Sequence, residues 1–265
     1  MARSRKGTEV PGISDGLRGA AFSHRRSIEY SDPAVTKGDQ IDGLAMKAAV
    51  DTDLLSRQAA EIPGEATLMN GSAQVCVARH GETNWNIEGI LQGWIDVPIN
   101  DKGRRQADEM AAGLAGAAGF ACVYSSPLRR ALETAEIICR ALRLAPPVCH
   151  EGLKERDFGA VQGVPKAQLA ESNPALLRQI LQRNPACRFE RGESMDHFAS
   201  RVLDAIRSIA EGHSGERALV ITHGWVMDVI TREIGKLPRS AVLNMKRKNG
   251  ECLWLEVTRT AIRSA

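Results

Sequence analysis

The chain has 265 residues, 43% of them hydrophobic and 25% charged, with a formal net charge of +3. This is ordinary globular composition, long enough to bury an ample core. So slight a positive balance argues against nucleic acid or a membrane surface as partner, and any preference for anions must be local.

Residues 1 to about 70 mix Gly, Ser, Asp, Pro and Arg with few apolar clusters and no sustained period. Such a stretch buries too little apolar surface to offset the entropy of ordering it, so a disordered extension is expected. A short amphipathic helix over Leu44–Ala60 is the alternative there. Met69 directly precedes the first strand, and a natural translation start at Met69 or Met46 is a further expectation.

From Gln74 onward strands and helices alternate. Gln74–Ala78 is a short apolar run that ends in Arg79-His80-Gly81. Asn100 or Asp101 can cap a helix through about Ala118, with Ala107, Met110, Ala111 and Leu114 on one face. Phe120–Tyr124 is the next strand, and Ser125-Ser126-Pro127 opens a helix to about Leu144, with Pro just inside. A short strand near Val148 leads into a Gly-punctuated loop, Glu151–Gly163. Residues 165–183 read as one helix, and Glu193-Ser194 opens another to Ala210. Ala218–Thr222 is the most strand-like run, followed by His223-Gly224 and a helix to Ile234. Cys252–Val257 closes the pattern as a strand.

Strands separated by helices imply a three-layer α/β/α sandwich with a mostly parallel sheet. No apolar run approaches the ~20 residues that span a bilayer. The basic start Met1–Lys6 lacks a following apolar segment, so a cytoplasmic protein without a membrane partner is expected. The six cysteines show no metal-ligand spacing and read as reduced thiols, with Cys76 and Cys122 in the core.

Ligands of such folds gather at the carboxyl ends of the strands. Arg79-His80, Ser125–Arg130 and His223 all fall there. Two His and two Arg, with Gly81 and Gly224 giving open backbone access, would build a compact cationic pocket suited to a phosphoryl group. A carboxyl group must protonate the leaving oxygen, and Glu155 is the best-placed candidate on the loops.

The stretch Arg79-His80-Gly81-Glu82-Thr83-Asn84-Trp85-Asn86 resembles the signature of the histidine phosphatase superfamily, which includes cofactor-dependent phosphoglycerate mutases and related phosphatases. Further stretches match in order: Gln92–Pro98, Ser126–Ala135, Leu153–Gly159, Gly192-Glu193-Ser194 and Thr222-His223-Gly224. The resemblance covers about residues 74–258. It implies a phosphoglycerate mutase-like catalytic domain over 71–265, with His80 as the nucleophile, neutral at its attacking nitrogen. Arg79, Arg130 and a protonated His223 would grip the phosphate, and Arg130 is chosen over Arg129 because it precedes the Ala of the motif. Asn86, Thr83 and Gly224 are further substrate-binding positions, and Glu155 is the acid and then the base. No metal and no other cofactor is implied.

Trp85 and Trp94 read as packing residues, Asp96 as a structural hydrogen-bond partner, and His150, His197 and His213 as surface or loop histidines. Lys246-Arg247-Lys248 reads as a solvated basic turn or an attractor of anions. Residues 164–192 lack the adjacent arginine pair of the family's mutases, which favours a phosphatase acting on a small phosphate ester. Gly93-Trp94 and Gln162-Gly163 lean towards the mutases. A non-catalytic phosphate-binding module would be expected to lack His80 or Glu155, and a metallohydrolase would need His and Cys that are less scattered. A homodimer is left open.

Overall fold

The computed structural model describes residues 71–116 and 119–265. The expected disordered extension, the helix over 44–60 and the alternative starts lie outside the described residues.

Among the described residues six strands form one sheet: β1 (Ala73–Arg79), β2 (Phe120–Ser125), β3 (Val148–Cys149), β4 (Arg217–Thr222), β5 (Cys252–Val257) and β6 (Ile262–Ser264). Their spatial order is β3-β2-β4-β1-β5-β6. The first four strands run parallel, while β5 and β6 add an antiparallel edge. The central strands are apolar at nearly every position because both faces are covered. Val75 and Val77 of β1 join a core with Phe198, Val202, Ile206, Val226 and Ile230. Cys76 and Ala78 point the other way, into a core with Ala107, Met110, Ala131, Ala135 and Ile138. The period of two along β1 therefore feeds two cores, and the molecule is the three-layer α/β/α sandwich that the alternating pattern implies.

Seven α-helices accompany the sheet among the described residues: α1 (Asn84–Glu88), α2 (Asp101–Leu114), α3 (Arg129–Leu142), α4 (Lys166–Ser172), α5 (Pro174–Leu181), α6 (Met195–Glu211) and α7 (Gly224–Ile234). Asn100 caps α2 by accepting from Gly103 N, and Ser194 caps α6 by accepting from His197 N. The four residues 107, 110, 111 and 114 on the predicted face of α2 are buried.

Three predicted boundaries differ. The helix expected from Ser125 starts at Arg129, because Ser126 N still bonds Ile221 O of β4 and Leu128 takes the extended capping position. Pro127 thus lies before α3, not inside it. The single helix expected over 165–183 breaks at Asn173, whose backbone (φ −153°, ψ 72°) leaves the helical region ahead of Pro174. Asn173 then caps α5 by accepting from Leu176 N, with Pro174 at a position that needs no N–H. Finally, Cys252–Val257 is not the last strand, since β6 pairs antiparallel beyond it.

No helix among the described residues is long and apolar enough to cross a membrane.

Candidate active site

The register of the sheet brings the two key histidines together. Arg79 of β1 stands opposite Thr222 of β4, so the next residues, His80 and His223, emerge side by side at the carboxyl ends. His80 N bonds Thr222 O at 2.9 Å, and the two rings lie 5.2 Å apart between centroids.

His80 Nδ1 lies 2.7 Å from Gly81 O. A carbonyl oxygen only accepts, so Nδ1 carries the proton and the Nε2 lone pair is free. Burial, then the charges of Arg130 and Arg79, push the imidazole well below its ordinary pKa, so His80 is neutral. The turn that aims it is tightly fitted. Gly81 N donates to Thr134 Oγ1 of α3 at 3.0 Å, and a Cβ at Gly81 would stand 2.4 Å from Gly103 O.

His223 is fully buried behind His80. Its Nε2 lies 2.8 Å from Ser126 Oγ, which already accepts from Leu128 N. Nδ1 of His223 has no partner among the described residues. The sequence reading takes His223 as protonated. That expectation concerns His223 beside the charge of a phosphate; the protein's own surroundings, burial and then Arg130, His80 and Arg79, lower its pKa well below the ordinary value.

Arg130 is buried, with Nη2 donating to Gly93 O at 2.7 Å and Nη1 to Ile95 O at 3.1 Å. Arg79 donates through Nη1 to Arg247 O. Burial lowers both guanidinium groups to about 10, still cationic at neutral pH, and both Nε atoms lack a partner among the described residues. Arg129 stays at the surface, paired with Glu133.

Glu155 is 8% exposed. Its Oε1 accepts from Arg156 N at 2.9 Å, and Oε2 sits 3.4 Å from Trp225 N. Burial raises its pKa, against the opposing pull of Arg156 N, Arg183, Arg130 and Arg79. Its backbone is clamped by Trp94 Nε1 and Arg201 Nη2, both donating to Glu155 O. Trp94 is 38% exposed and in neither core, so it positions Glu155 where the sequence suggested packing. Asp96 accepts from Arg129 N at 2.6 Å, the structural role read for it.

A cavity of about 690 Å³ is lined by Arg79, His80, Asn86, Arg130, Glu155 and Gly224. His223 and Thr83 are not on its wall. Thr83 is fully buried, capping α1 by accepting from Asn86 N and anchoring Gln92 Nε2 at 2.8 Å, so its expected contact with substrate is replaced by support of two neighbours.

The same wall holds Lys166, Arg183 and Asn249, which the sequence reading did not select, and Lys246 and Lys248 of the basic turn, which it offered as attractors of anions. Arg247 between those lysines is not solvated. It is 1% exposed and bonds Asp228 Oδ1 of α7 at 3.2 Å, tying the turn to the sheet end. Asn249 Nδ2 donates to His80 O at 2.8 Å. Nothing in local spacing signals these pairs, since Asn249 and His80 lie far apart in the chain. His150 caps a turn by accepting from Gly152 N, while His197 is exposed.

Among the described residues no three His, Cys, Asp or Glu side chains are grouped to hold a metal ion.

Phosphoglycerate mutase-like protein 4 of Arabidopsis thaliana is 36% identical over 156 residues, 58% of this chain and 68% of that protein. Metal-independent phosphoserine phosphatase, also of Arabidopsis thaliana, is 35% identical over 176 residues, 64% of this chain and 74% of that protein. The solved structure of Bacillus stearothermophilus YhfR superposes with a TM-score of 0.67 at 32% identity, covering 73% of this chain and 95% of that one. The family model for branch 1 of the histidine phosphatase superfamily matches residues 75–264, and the chain belongs to that superfamily.

Proposed function

We propose that the chain is a phosphatase that hydrolyses a small phosphomonoester through a phosphohistidine on Nε2 of His80. The observation that carries this reading is the state of His80: neutral, with Nδ1 engaged by Gly81 O and Nε2 free, on a cavity wall shared with Arg79 and Arg130, whose Nε groups have no partner among the described residues. These donors match the non-bridging oxygens of a phosphoryl group, where charge spreads during transfer. A phosphate dianion would also supply the negative charge that His223 needs to take up a second proton.

In the first half-reaction Nε2 attacks phosphorus and the bond to the ester oxygen breaks. Glu155, whose raised pKa favours the acid form, donates its proton to that oxygen. In the second half the Glu155 carboxylate takes a proton from water, whose oxygen attacks phosphorus. Inorganic phosphate leaves and His80 is restored. No step needs a metal, and one relative is named a metal-independent phosphatase.

Lys166, Arg183, Lys246 and Lys248 extend the positive wall beyond the reacting group. That extension supports a substrate with a further anionic group some distance from the transferred phosphate. The cytoplasm remains the compartment we propose, on the reduced-cysteine reading.

Rapid acid-quench of the protein with a 32P-labelled phosphomonoester tests the mechanism: acid-labile, base-stable label on the chain is expected, and none in His80→Asn. Label that persists in His80→Asn would overturn the nucleophile assignment. The mutase reading is favoured by the name of one relative. Incubation with 3-phosphoglycerate and catalytic 2,3-bisphosphoglycerate separates the two: rapid 2-phosphoglycerate without phosphate release would replace phosphatase by mutase.

A further inference from the structure

At the opposite end of the sheet three side chains form a relay that phosphoryl transfer does not use. His213 and Glu216 lie in the turn between α6 and β4, held by Glu216 N donating to His213 O at 3.0 Å. Glu216 Oε2 sits 2.9 Å from His213 Nδ1. A carboxylate accepts, so Nδ1 carries the proton and the Nε2 lone pair faces outward. Cys122 Sγ stands 3.0 Å from that nitrogen, and Tyr124 Oη stands 3.2 Å from it.

The placement follows from the sheet. Cys122 pairs with Ala218, one step into β4 from the turn, and the register shifts between Phe120 and Cys122. Such an irregularity re-aims a side chain at a strand end. Cys122 and Tyr124 then share one face by the period of two and meet the same imidazole. The side chain of His213 is 17% exposed, and Cys122 is half-buried, so the group is reachable from solvent.

A nucleophile, a base within hydrogen-bond reach and a third group orienting the base are the parts of an activated thiol. We propose that Cys122 is a second reactive centre, a thiol deprotonated by His213 for attack on a small-molecule disulfide. The step balances. His213 Nε2 takes the thiol proton, Cys122 Sγ attacks one sulfur of R–S–S–R, and the old S–S bond breaks. The departing thiolate takes the proton from the imidazolium, leaving a mixed disulfide on the chain and one free small thiol. Glu216 steadies the imidazolium in between.

Cys122 holds little standing thiolate, so its proton has to pass to His213 as the sulfur attacks. Burial, then Glu216, raises its thiol from 9.0 to about 11, which reduces the thiolate fraction about 100-fold. Cys149 is exposed and serves as the internal reference, while Cys76 is fully buried and reports that the fold is intact.

The full chain is incubated with glutathione disulfide, and mixed disulfide at each cysteine is followed by peptide mass spectrometry. Cys122 is expected to react faster than Cys149. His213→Gln should slow Cys122 about tenfold or more, with Cys149 unchanged. Glu216→Gln should slow it by less. Cys122 reacting more slowly than Cys149 would overturn the proposal, as would an unchanged rate in His213→Gln with Cys76 still protected. If His213→Gln exposes Cys76, the wild-type ordering and the Glu216→Gln rate decide.

Discussion

The chemistry at Glu155 turns on which of two opposed effects prevails. Three guanidinium groups and a backbone N–H favour the carboxylate, but burial outweighs them and the pKa is raised. A group that must donate a proton is lost as pH rises through its pKa, so efficiency on an alkyl phosphate should fall on the basic side of the profile. Glu155→Gln cannot donate, and it should lower kcat on alkyl esters by about 10²–10⁴ while removing that basic limb. p-Nitrophenyl phosphate leaves without help, so its kcat should fall far less. Equal losses on both substrates, measured by phosphate release, would show that Glu155 only holds the loop. At this scale the candidate site was partly legible. His80, Arg79, His223 and the Ser125–Arg130 stretch stand at strand ends that the apolar runs announce, Glu155 was the carboxyl best placed on the loops, and the family resemblance chose Arg130 over Arg129. Arg183 and Asn249 gave no signal, because each acts through partners distant in the chain.

Elements meet the site through close backbone contact, and glycines permit it. Gly103 sits in the first turn of α2, where a Cβ would stand 2.2 Å from Glu82 O and 2.9 Å from Ile99 Cβ. Alanine is the better helix former by about 1 kcal/mol. Overpacking against rigid backbone costs about 1–3 kcal/mol or more, so the clash should win. Gly103→Ala is therefore expected to be destabilising, lowering Tm by about 2–4 °C per kcal/mol lost, and to reduce kcat by displacing the Gly81-Glu82 turn behind His80. Thermal melting with kinetics checks both, and a raised Tm with normal kcat would contradict the packing argument. A comparable test of the core is Ile138→Ala on the buried face of α3, expected to cost about 2–5 kcal/mol by denaturant titration. Strands and helices of this kind were readable because β1 and β4 are continuous apolar runs and α2 keeps one apolar face. The break at Asn173 was present as an Asn-Pro step inside a convincing helical period, and the period prevailed in the reading. β6, at three residues, is too short to carry any period.

Over the whole molecule the charge that matters is concealed by its average. A net charge of +3 hides the gathering of Arg79, Arg130, Lys166, Arg183, Lys246 and Lys248 around one cavity, drawn from segments that meet only when the sheet forms. That concentration has a consequence for stability. His80 and His223 are held neutral by burial and by Arg130 and Arg79, with folded pKa values well below the usual one. In the unfolded chain both titrate near the ordinary value of about 6.5. Below that pH the unfolded state binds more protons, so their contribution to stability is complete above about pH 6.5 and is lost as pH falls from there towards the depressed values. Glu155 acts in the opposite direction: with its pKa raised, the folded state binds the extra proton just above the ordinary carboxyl range. Two strongly shifted imidazoles outweigh one carboxyl, so Tm should fall between pH 7 and pH 5.5. His223→Asn should reduce that fall. Saturating inorganic phosphate should reduce it further in the wild type, because a bound dianion favours the protonated imidazole. Melting curves across that range decide it: an identical acid loss in His223→Asn, or no effect of phosphate, would separate the acid sensitivity from the paired histidines.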